Sequence, residues 1–133
     1  MQLITDEKQV IDSTNFGSKK KLFVFDSTRG FACEVRKKFS SDYEITCCSR
    51  KKDLEKISYD DYLAGIIIIN DVDEIGKLSF LKLKLRHLLV STTLRKNMYS
   101  IPPLEDMVEF DLNLCRKETI AFFKEKFFEF KNS

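Results

Sequence analysis

Four consecutive isoleucines at residues 66–69 constrain the fold of this chain more than any other feature of its sequence. Isoleucine is branched at Cβ and stiff at χ1, which favours extended backbone over helix. Because successive side chains of a strand point to opposite faces, such a run is stable where both faces of a sheet are covered. The sequence therefore predicts a central parallel strand over residues 64–69, with helices packed on either side.

Four other segments have the length and the apolar or β-branched composition of strands, at residues 21–25, 43–48, 87–91 and 107–112. Helical spacing of apolar residues between them predicts helices built around Phe31, Val35 and Phe39, around Leu54 and Ile57, and around Ile75, Leu78, Leu81 and Leu85. A short helix over residues 92–100 and a final helix over 117–131, with Ile120, Phe123, Phe127 and Phe130 on one stripe, complete the pattern.

Polar residues between the strands predict where two of these helices begin. Ser27 or Thr28 is expected to cap the first helix, and Ser49 the second. Strands that alternate with helices favour a parallel sheet with right-handed crossovers and helices on both faces. We therefore expect a doubly wound, flavodoxin-like α/β domain whose five strands have the order 2-1-3-4-5.

Length and composition limit the classes of protein to which the chain can belong. With 133 residues we expect one domain over residues 19–133, preceded by a tail or lead-in over 1–18. A net charge of +2 provides no long-range field that would favour nucleic acid as a partner. No run approaches the roughly 18 apolar residues of a membrane span, and the N-terminus is unlike a signal peptide. A cytoplasmic protein with no membrane contact is expected.

The cysteines do not form a recognisable metal-binding pattern. Cys33, Cys47, Cys48 and Cys115 contain no CxxC spacing, and His87 is the one histidine of the chain. Zinc is not expected, and we interpret all four cysteines as reduced thiols.

The most informative polar residues follow the first and third predicted strands. In sheets of this order, ligands bind outside the carboxyl ends of the strands that flank the switch point. Over about residues 19–131 the chain resembles the receiver domains of response regulators, in element order and in the residues at strand ends. The resemblance implies acids after the first strand, a phosphate-accepting Asp after the third, Ser or Thr after the fourth and Lys after the fifth.

The residues at these receiver positions are Asp26, Ser27, Asn70, Asp71, Ser91, Thr92 and Asn113. Asp26 matches one acid, but Ser27 stands where the second is usual. Asn70 falls at the acceptor position, and an amide cannot form an acyl phosphate. The position after the fifth strand falls on Asn113 or a neighbour, and no Lys is there. The resemblance therefore implies a degenerate pseudo-receiver, a non-catalytic signalling module that acts by protein contact without phosphorylation.

Two other functions remain open. Asp71 could accept a phosphoryl group in a Mg²⁺-dependent receiver, with Mg²⁺ held by Asp26 and Asp71. Alternatively, residues 25–32 resemble the loop that wraps the flavin phosphate in flavodoxins, which implies an FMN electron carrier. The loop after the third strand is acidic and has no aromatic residue to stack on a flavin. The plainest interpretation is that these acids cap helices, and no cofactor is our first expectation.

The final helix is the predicted contact surface. Phe122 and Phe128 project away from the centre of its apolar stripe, on opposite sides. In receivers the corresponding helix commonly forms a dimer or partner interface, so the resemblance implies a protein partner or a homodimer here. The alternative is that the N-terminal tail folds back and covers one of these rings.

Overall fold

The computed structural model describes residues 19–95, 101, 105, 107–112 and 116–132. The predicted tail over 1–18, most of the predicted helix over 92–100, Asn113 and Cys115 lie outside the described residues.

Five strands form one parallel sheet in the order β2-β1-β3-β4-β5. They are β1 (Lys20–Asp26), β2 (Tyr43–Cys48), β3 (Tyr62–Ile69), β4 (Leu88–Thr92) and β5 (Met107–Glu109). The helices are α1 (Gly30–Phe39), α2 (Val72–Ile75), α3 (Leu78–Lys84) and α4 (Arg116–Lys131), with a 3₁₀ helix at Lys51–Lys56. The predicted doubly wound fold and its strand order are confirmed. No helix of the described residues is long and apolar enough to cross a membrane.

The isoleucine run lies in the middle of the sheet, and its side chains enter the two hydrophobic cores on opposite faces of the sheet. Ile66 and Ile68 pack on the side of α1 and α4, while Ile67 and Ile69 pack on the side of the 3₁₀ helix and α3. All four side chains are at most 1% exposed. Burying an isoleucine contributes about 1.5–3 kcal/mol to the free energy of unfolding, so the four buried isoleucines contribute strongly to the stability of the fold.

Aromatic rings join α4 to α1 and the edge strand. The Phe127 ring lies 5.4 Å from Phe39 and 5.1 Å from Tyr43, and the Phe123 ring lies 5.9 Å from Phe31. Phe123 and Phe127 are fully buried, whereas Ile120 and Phe130 at the two ends of the predicted stripe are half-buried. The predicted apolar stripe therefore faces the core, and its two central side chains are the most deeply buried.

Gly65 allows the loop before β4 to pack closely against β3. A Cβ at this position would lie 2.6 Å from the Leu85 Cδ1 atom and 3.1 Å from the Leu88 Cδ2 atom. The Gly65 N–H also donates to the His87 carbonyl at 2.9 Å. The missing side chain is thus used for packing rather than for a turn.

Four predicted elements differ from the structure. The segment after β2 is a 3₁₀ helix that follows Arg50 without a side-chain cap, so Ser49 is not its cap. The predicted helix over 75–85 is divided into α2 and α3 by a turn at Gly76, and α2 is only four residues long. β5 ends at Glu109 instead of residue 112. Thr92 belongs to β4, and residues 93–95 are not helical.

Candidate functional site

Asp26 is the centre of a polar network where β1 and β3 end. Asp26 is buried, with 1% of its surface exposed. Its Oδ1 atom accepts from the Thr28 N–H at 3.2 Å, the Thr28 hydroxyl at 2.9 Å and the Asn70 amide at 2.8 Å. Its Oδ2 atom accepts from the N–H groups of Phe31 at 2.8 Å and Ala32 at 3.2 Å. A carboxylate offers about four lone-pair sites, so these five donors saturate it.

The same contacts make Asp26 the cap of α1. Phe31 and Ala32 provide N–H groups of the first turn that have no partner within the helix. The residue before the helix, Arg29, has left-handed backbone with φ of 71° and makes no side-chain cap. The expectation that Ser27 or Thr28 caps α1 is therefore wrong, because Asp26 reaches over the turn and does so instead.

The hydrogen bonds also determine the charge of Asp26. Burial by itself would raise the pKa of this carboxyl, but the donors from Asn70, Thr28 and Ala32 outweigh burial and hold the pKa below its ordinary value. Asp26 is thus an ionised group whose negative charge is stabilised by the surrounding hydrogen-bond donors.

Asn70 connects three strand ends through its amide. Its Nδ2 atom donates to Asp26 and, at 3.3 Å, to the Ser27 hydroxyl, and its Oδ1 atom accepts from the Thr93 hydroxyl at 2.9 Å. Its backbone N–H donates to the Glu74 carboxylate at 2.8 Å. An ionised Asp side chain has no donor to offer Asp26, so this arrangement depends on the amide.

The hydroxyls at the end of β4 are also engaged within the protein. The Thr92 hydroxyl donates to the Ile69 carbonyl at 2.8 Å and accepts from the Leu94 N–H at 2.9 Å. The Ser91 hydroxyl donates to the Phe110 carbonyl at 2.6 Å. Both side chains therefore join neighbouring segments of the sheet.

Asp71 has a different environment from Asp26. It is exposed, it caps α2, and its Oδ1 atom accepts from the Asp73 N–H at 3.2 Å. In the part of the chain that the structure describes, no three His, Cys, Asp or Glu side chains form a group that could hold a metal ion. A Mg²⁺ ion shared by Asp26 and Asp71 stays a prediction. Asp26 is a poor candidate ligand, because its carboxylate oxygens already accept five hydrogen bonds.

The loop that resembles a flavin phosphate loop is occupied by the protein's own carboxylate. The N–H groups of Phe31 and Ala32 would be needed for a phosphate at the start of α1, and both donate to Asp26. Burial raises the pKa of the Cys47 and Cys48 thiols, which disfavours the thiolate form of these two side chains.

Three side chains of the network were not among the residues at the predicted receiver positions, namely Thr28, Glu74 and Thr93. Two of them have a local signal. Thr28 follows Asp26 by two residues, which is the spacing of an Asx turn. Glu74 follows Asp71 by three residues, which is the spacing of a capping box. Thr93 has no such signal, because its contact with Asn70 joins residues far apart in the chain.

Outside this network, the two phenylalanines predicted as an interface differ in how far they are exposed. Phe128 on α4 is 68% exposed. Phe122 is half-buried, and its ring lies 5.8 Å from the rings of Phe110 and Phe123. The two side chains are therefore not equivalent, and Phe128 is the better candidate for a contact.

A parallel five-stranded sheet of this order, with polar residues gathered where β1, β3 and β4 end, defines a CheY-like, flavodoxin-like fold. The structure is similar to a CheY-like response regulator receiver domain protein from Methanospirillum hungatei, with a TM-score of 0.63 and 15% identity, covering 86% of this chain and 98% of that one. It is also similar to a structure described as adenylate cyclase from Rhodopirellula baltica, with a TM-score of 0.57 and 8% identity, covering 85% and 90%. No protein-family model and no curated protein matches the sequence. At these identities the similarity is one of fold.

Proposed function

We propose that this chain is a non-catalytic, receiver-like signalling module that acts by protein contact without being phosphorylated. The observation that carries the proposal is the amide of Asn70, which donates to Asp26 at 2.8 Å and follows β3, where the resemblance to receivers implies the phosphate acceptor. Phosphoryl transfer to a receiver needs a carboxylate at that position and Mg²⁺ to neutralise the incoming charge.

The charge balance of the network supports this proposal. Two buried carboxylates in contact would repel each other unless a cation lay between them. Asn70 is neutral and offers donors to Asp26, so the network is satisfied without an ion. A site of this kind has a structural role, and signalling by the module must then depend on its surface.

The proposed contact surface is α4, with Phe128 as the anchor for a protein partner or a second copy of the chain. A ring that is 68% exposed leaves a large apolar area in water. Aromatic anchors of this kind dominate the binding energy of many interfaces.

A phospho-accepting receiver that uses Asp71 is the second candidate. Its carboxylate is exposed and makes one hydrogen bond to a backbone N–H, so it is chemically accessible in a way that Asp26 is not. The two candidates make opposite predictions for one experiment.

The test is incubation of the protein with Mg²⁺ and acetyl phosphate, and separately with Mg²⁺ and beryllofluoride, followed by intact-mass and amide-NMR measurements. We expect no phosphoryl adduct and no shift of the Asn70 and Thr92 resonances. An acid-stable, base-labile adduct that disappears in Asp71→Asn would establish the second candidate instead.

The same protein is expected to be colourless after purification and not to bind added FMN, and a flavin absorption band would contradict this expectation.

A further inference from the structure

A second polar feature lies at the opposite edge of the sheet, where the strands begin. It is a cleft of about 560 Å³, lined by Lys19, Lys20, Lys21, Asp61, Tyr62, Leu63, Arg86, His87 and Phe130. The start of β1, the start of β3, the loop before β4 and the end of α4 meet here. The lysine run by itself is typical of a solvated start of a strand, but the fold adds Arg86 and aromatic rings from distant parts of the chain.

The cleft concentrates positive charge. Four of its side chains are Lys or Arg, and Asp61 is the one acid, so its local excess of three positive charges is larger than the net charge of +2 of the whole chain. Such a concave, single-sign surface raises the local concentration of ligands of opposite charge.

The cations of the cleft are not neutralised by carboxylates of the described residues. The Lys19 ammonium donates to the Ser40 carbonyl at 2.9 Å, and the Lys21 ammonium lies 4.7 Å from the centre of the Tyr62 ring. Lys20 and Arg86 are exposed, and neither forms an ion pair within the described part of the chain. Two exposed cationic side chains are therefore available to a ligand.

The rings in the cleft help to identify the ligand. His87 stacks on Phe130 with the ring centres 4.2 Å apart and an angle of 11°, and His87 is 9% exposed. Tyr62 has the Lys21 ammonium over its face. Binding of single-stranded nucleic acid uses a series of aromatic faces on which successive bases stack, whereas His87 covers one face of Phe130 and the Lys21 ammonium lies over one face of Tyr62. The accessible chemistry is that of cations beside an apolar wall.

We infer that this cleft binds an acidic segment of a partner protein, in which carboxylates face Lys20 and Arg86 and an apolar side chain rests against Leu63 and Phe130. The inference rests on the proposed function, because it adds a second contact, besides the one proposed at Phe128, to a module that acts by protein contact. Lysine and arginine at the rim would steer the acidic segment to the cleft, so association is expected to be fast and sensitive to salt.

The test is fluorescence anisotropy with a labelled synthetic peptide in which glutamates flank a phenylalanine. We expect saturable binding that weakens with added salt. Lys20→Glu and Arg86→Glu should each weaken binding about tenfold or more, the equivalent of about 1.4 kcal/mol. Lys52→Glu changes charge equally at an exposed residue of the 3₁₀ helix outside this cleft, and should change affinity less than about twofold.

Three results would overturn the inference. They are no saturable binding, equal losses in Lys52→Glu and Lys20→Glu, and tighter binding of a single-stranded oligonucleotide of the same charge, which would identify a nucleic-acid surface. None of the variants touches Asn70 or Asp71. The peptide experiment can therefore fail while the protein remains resistant to phosphorylation, and phosphorylation of Asp71 would contradict the proposed function without affecting the peptide result.

Discussion

Asp26 combines a buried position with an ionised state, and its donors explain how both are possible. Removing a charged hydrogen-bond acceptor from a buried network leaves its donors without partners. Because two of those donors are N–H groups of the first turn of α1, the same substitution removes the helix cap. Replacing Asp26 by Asn, which has the same shape, should therefore lower the free energy of unfolding strongly.

We predict that Asp26→Asn lowers the free energy of unfolding by about 2 kcal/mol at pH 7. Urea denaturation followed by circular dichroism measures this loss. Asp42→Asn, at an exposed position, is the matched control and should change stability by less than about 0.5 kcal/mol. Equal stability of the two variants would show that the network is dispensable.

The pH dependence of stability should change in the same variant. The folded-state pKa of Asp26 lies below its unfolded value, so its contribution is complete above about pH 4 and is lost as the pH falls through the folded pKa. The free energy of unfolding of the wild-type protein should thus decrease more steeply below about pH 4 than that of Asp26→Asn. Parallel curves would contradict the role of the charge.

Asn70 permits a converse experiment, in which a second carboxylate is placed beside Asp26. Asn70→Asp replaces a donor by an acceptor at 2.8 Å from the Asp26 oxygen, and the repulsion should lower stability by about 2 kcal/mol or more without divalent ions. Millimolar Mg²⁺ should raise the melting temperature of this variant and leave the wild-type protein unchanged. Asn70→Ala also loses the hydrogen bond to Asp26 but adds no carboxylate, so it should show no response to Mg²⁺. A wild-type response equal to that of Asn70→Asp would contradict the proposed function.

The position of these residues was predictable from the sequence, whereas their partners were not. Strand ends can be located from apolar runs, so Asp26 and Asn70 were expected at one edge of the sheet. Which donor reaches which oxygen depends on the turn after β1, where Arg29 adopts left-handed backbone. Few non-glycine residues do so, and no pattern in the neighbouring residues indicated it.

At the scale of elements, predictions were best where one physical signal dominated. The run of isoleucines and the phenylalanines of α4 are long and strongly patterned, and both elements were located correctly. The leucines at 81, 83 and 85 fit a strand as well as a helix. In the structure Leu81 and Leu85 are buried, and Leu83 is 85% exposed. Short elements such as α2 and the 3₁₀ helix depend on tertiary contacts, which outweigh local propensity.

The proposed interface on α4 can be tested with a matched pair of substitutions on one helix. Phe128→Glu should leave circular dichroism and the free energy of unfolding nearly unchanged, because its ring is 68% exposed, while self-association or partner capture is lost. Phe122→Glu should lower stability by about 2 kcal/mol or more, since its ring packs against Phe110 and Phe123. Analytical ultracentrifugation and thermal denaturation of both variants provide the two readouts. Unchanged association in Phe128→Glu would remove α4 as the contact surface.

At the scale of the whole molecule, the described residues of the two cores all lie within the predicted domain over 19–133. One face of the sheet is packed with residues between Leu22 and Phe127, and the other with residues between Phe23 and Val90. The first strand begins at Lys20. Within the described residues, every fully buried member of the two cores lies between Leu22 and Phe127.

We predict that a chain starting at Lys19 has a free energy of unfolding within about 1 kcal/mol of the full chain, which is the result expected if deletion of residues 1–18 removes no core contact. A groove of about 330 Å³ between α1 and α4, lined by Phe31, Phe39, Ile120 and Phe123 among others, is where the N-terminal segment could instead contribute. If Leu3, Ile4, Val10 and Ile11 pack there, deletion should cost about 2 kcal/mol or more through lost apolar burial. Replacing these four residues by serine in the full chain should then cost as much as the deletion. Denaturant titrations of the full, shortened and serine-substituted chains distinguish the two outcomes, and a large loss in both variants would make residues 1–18 part of the domain.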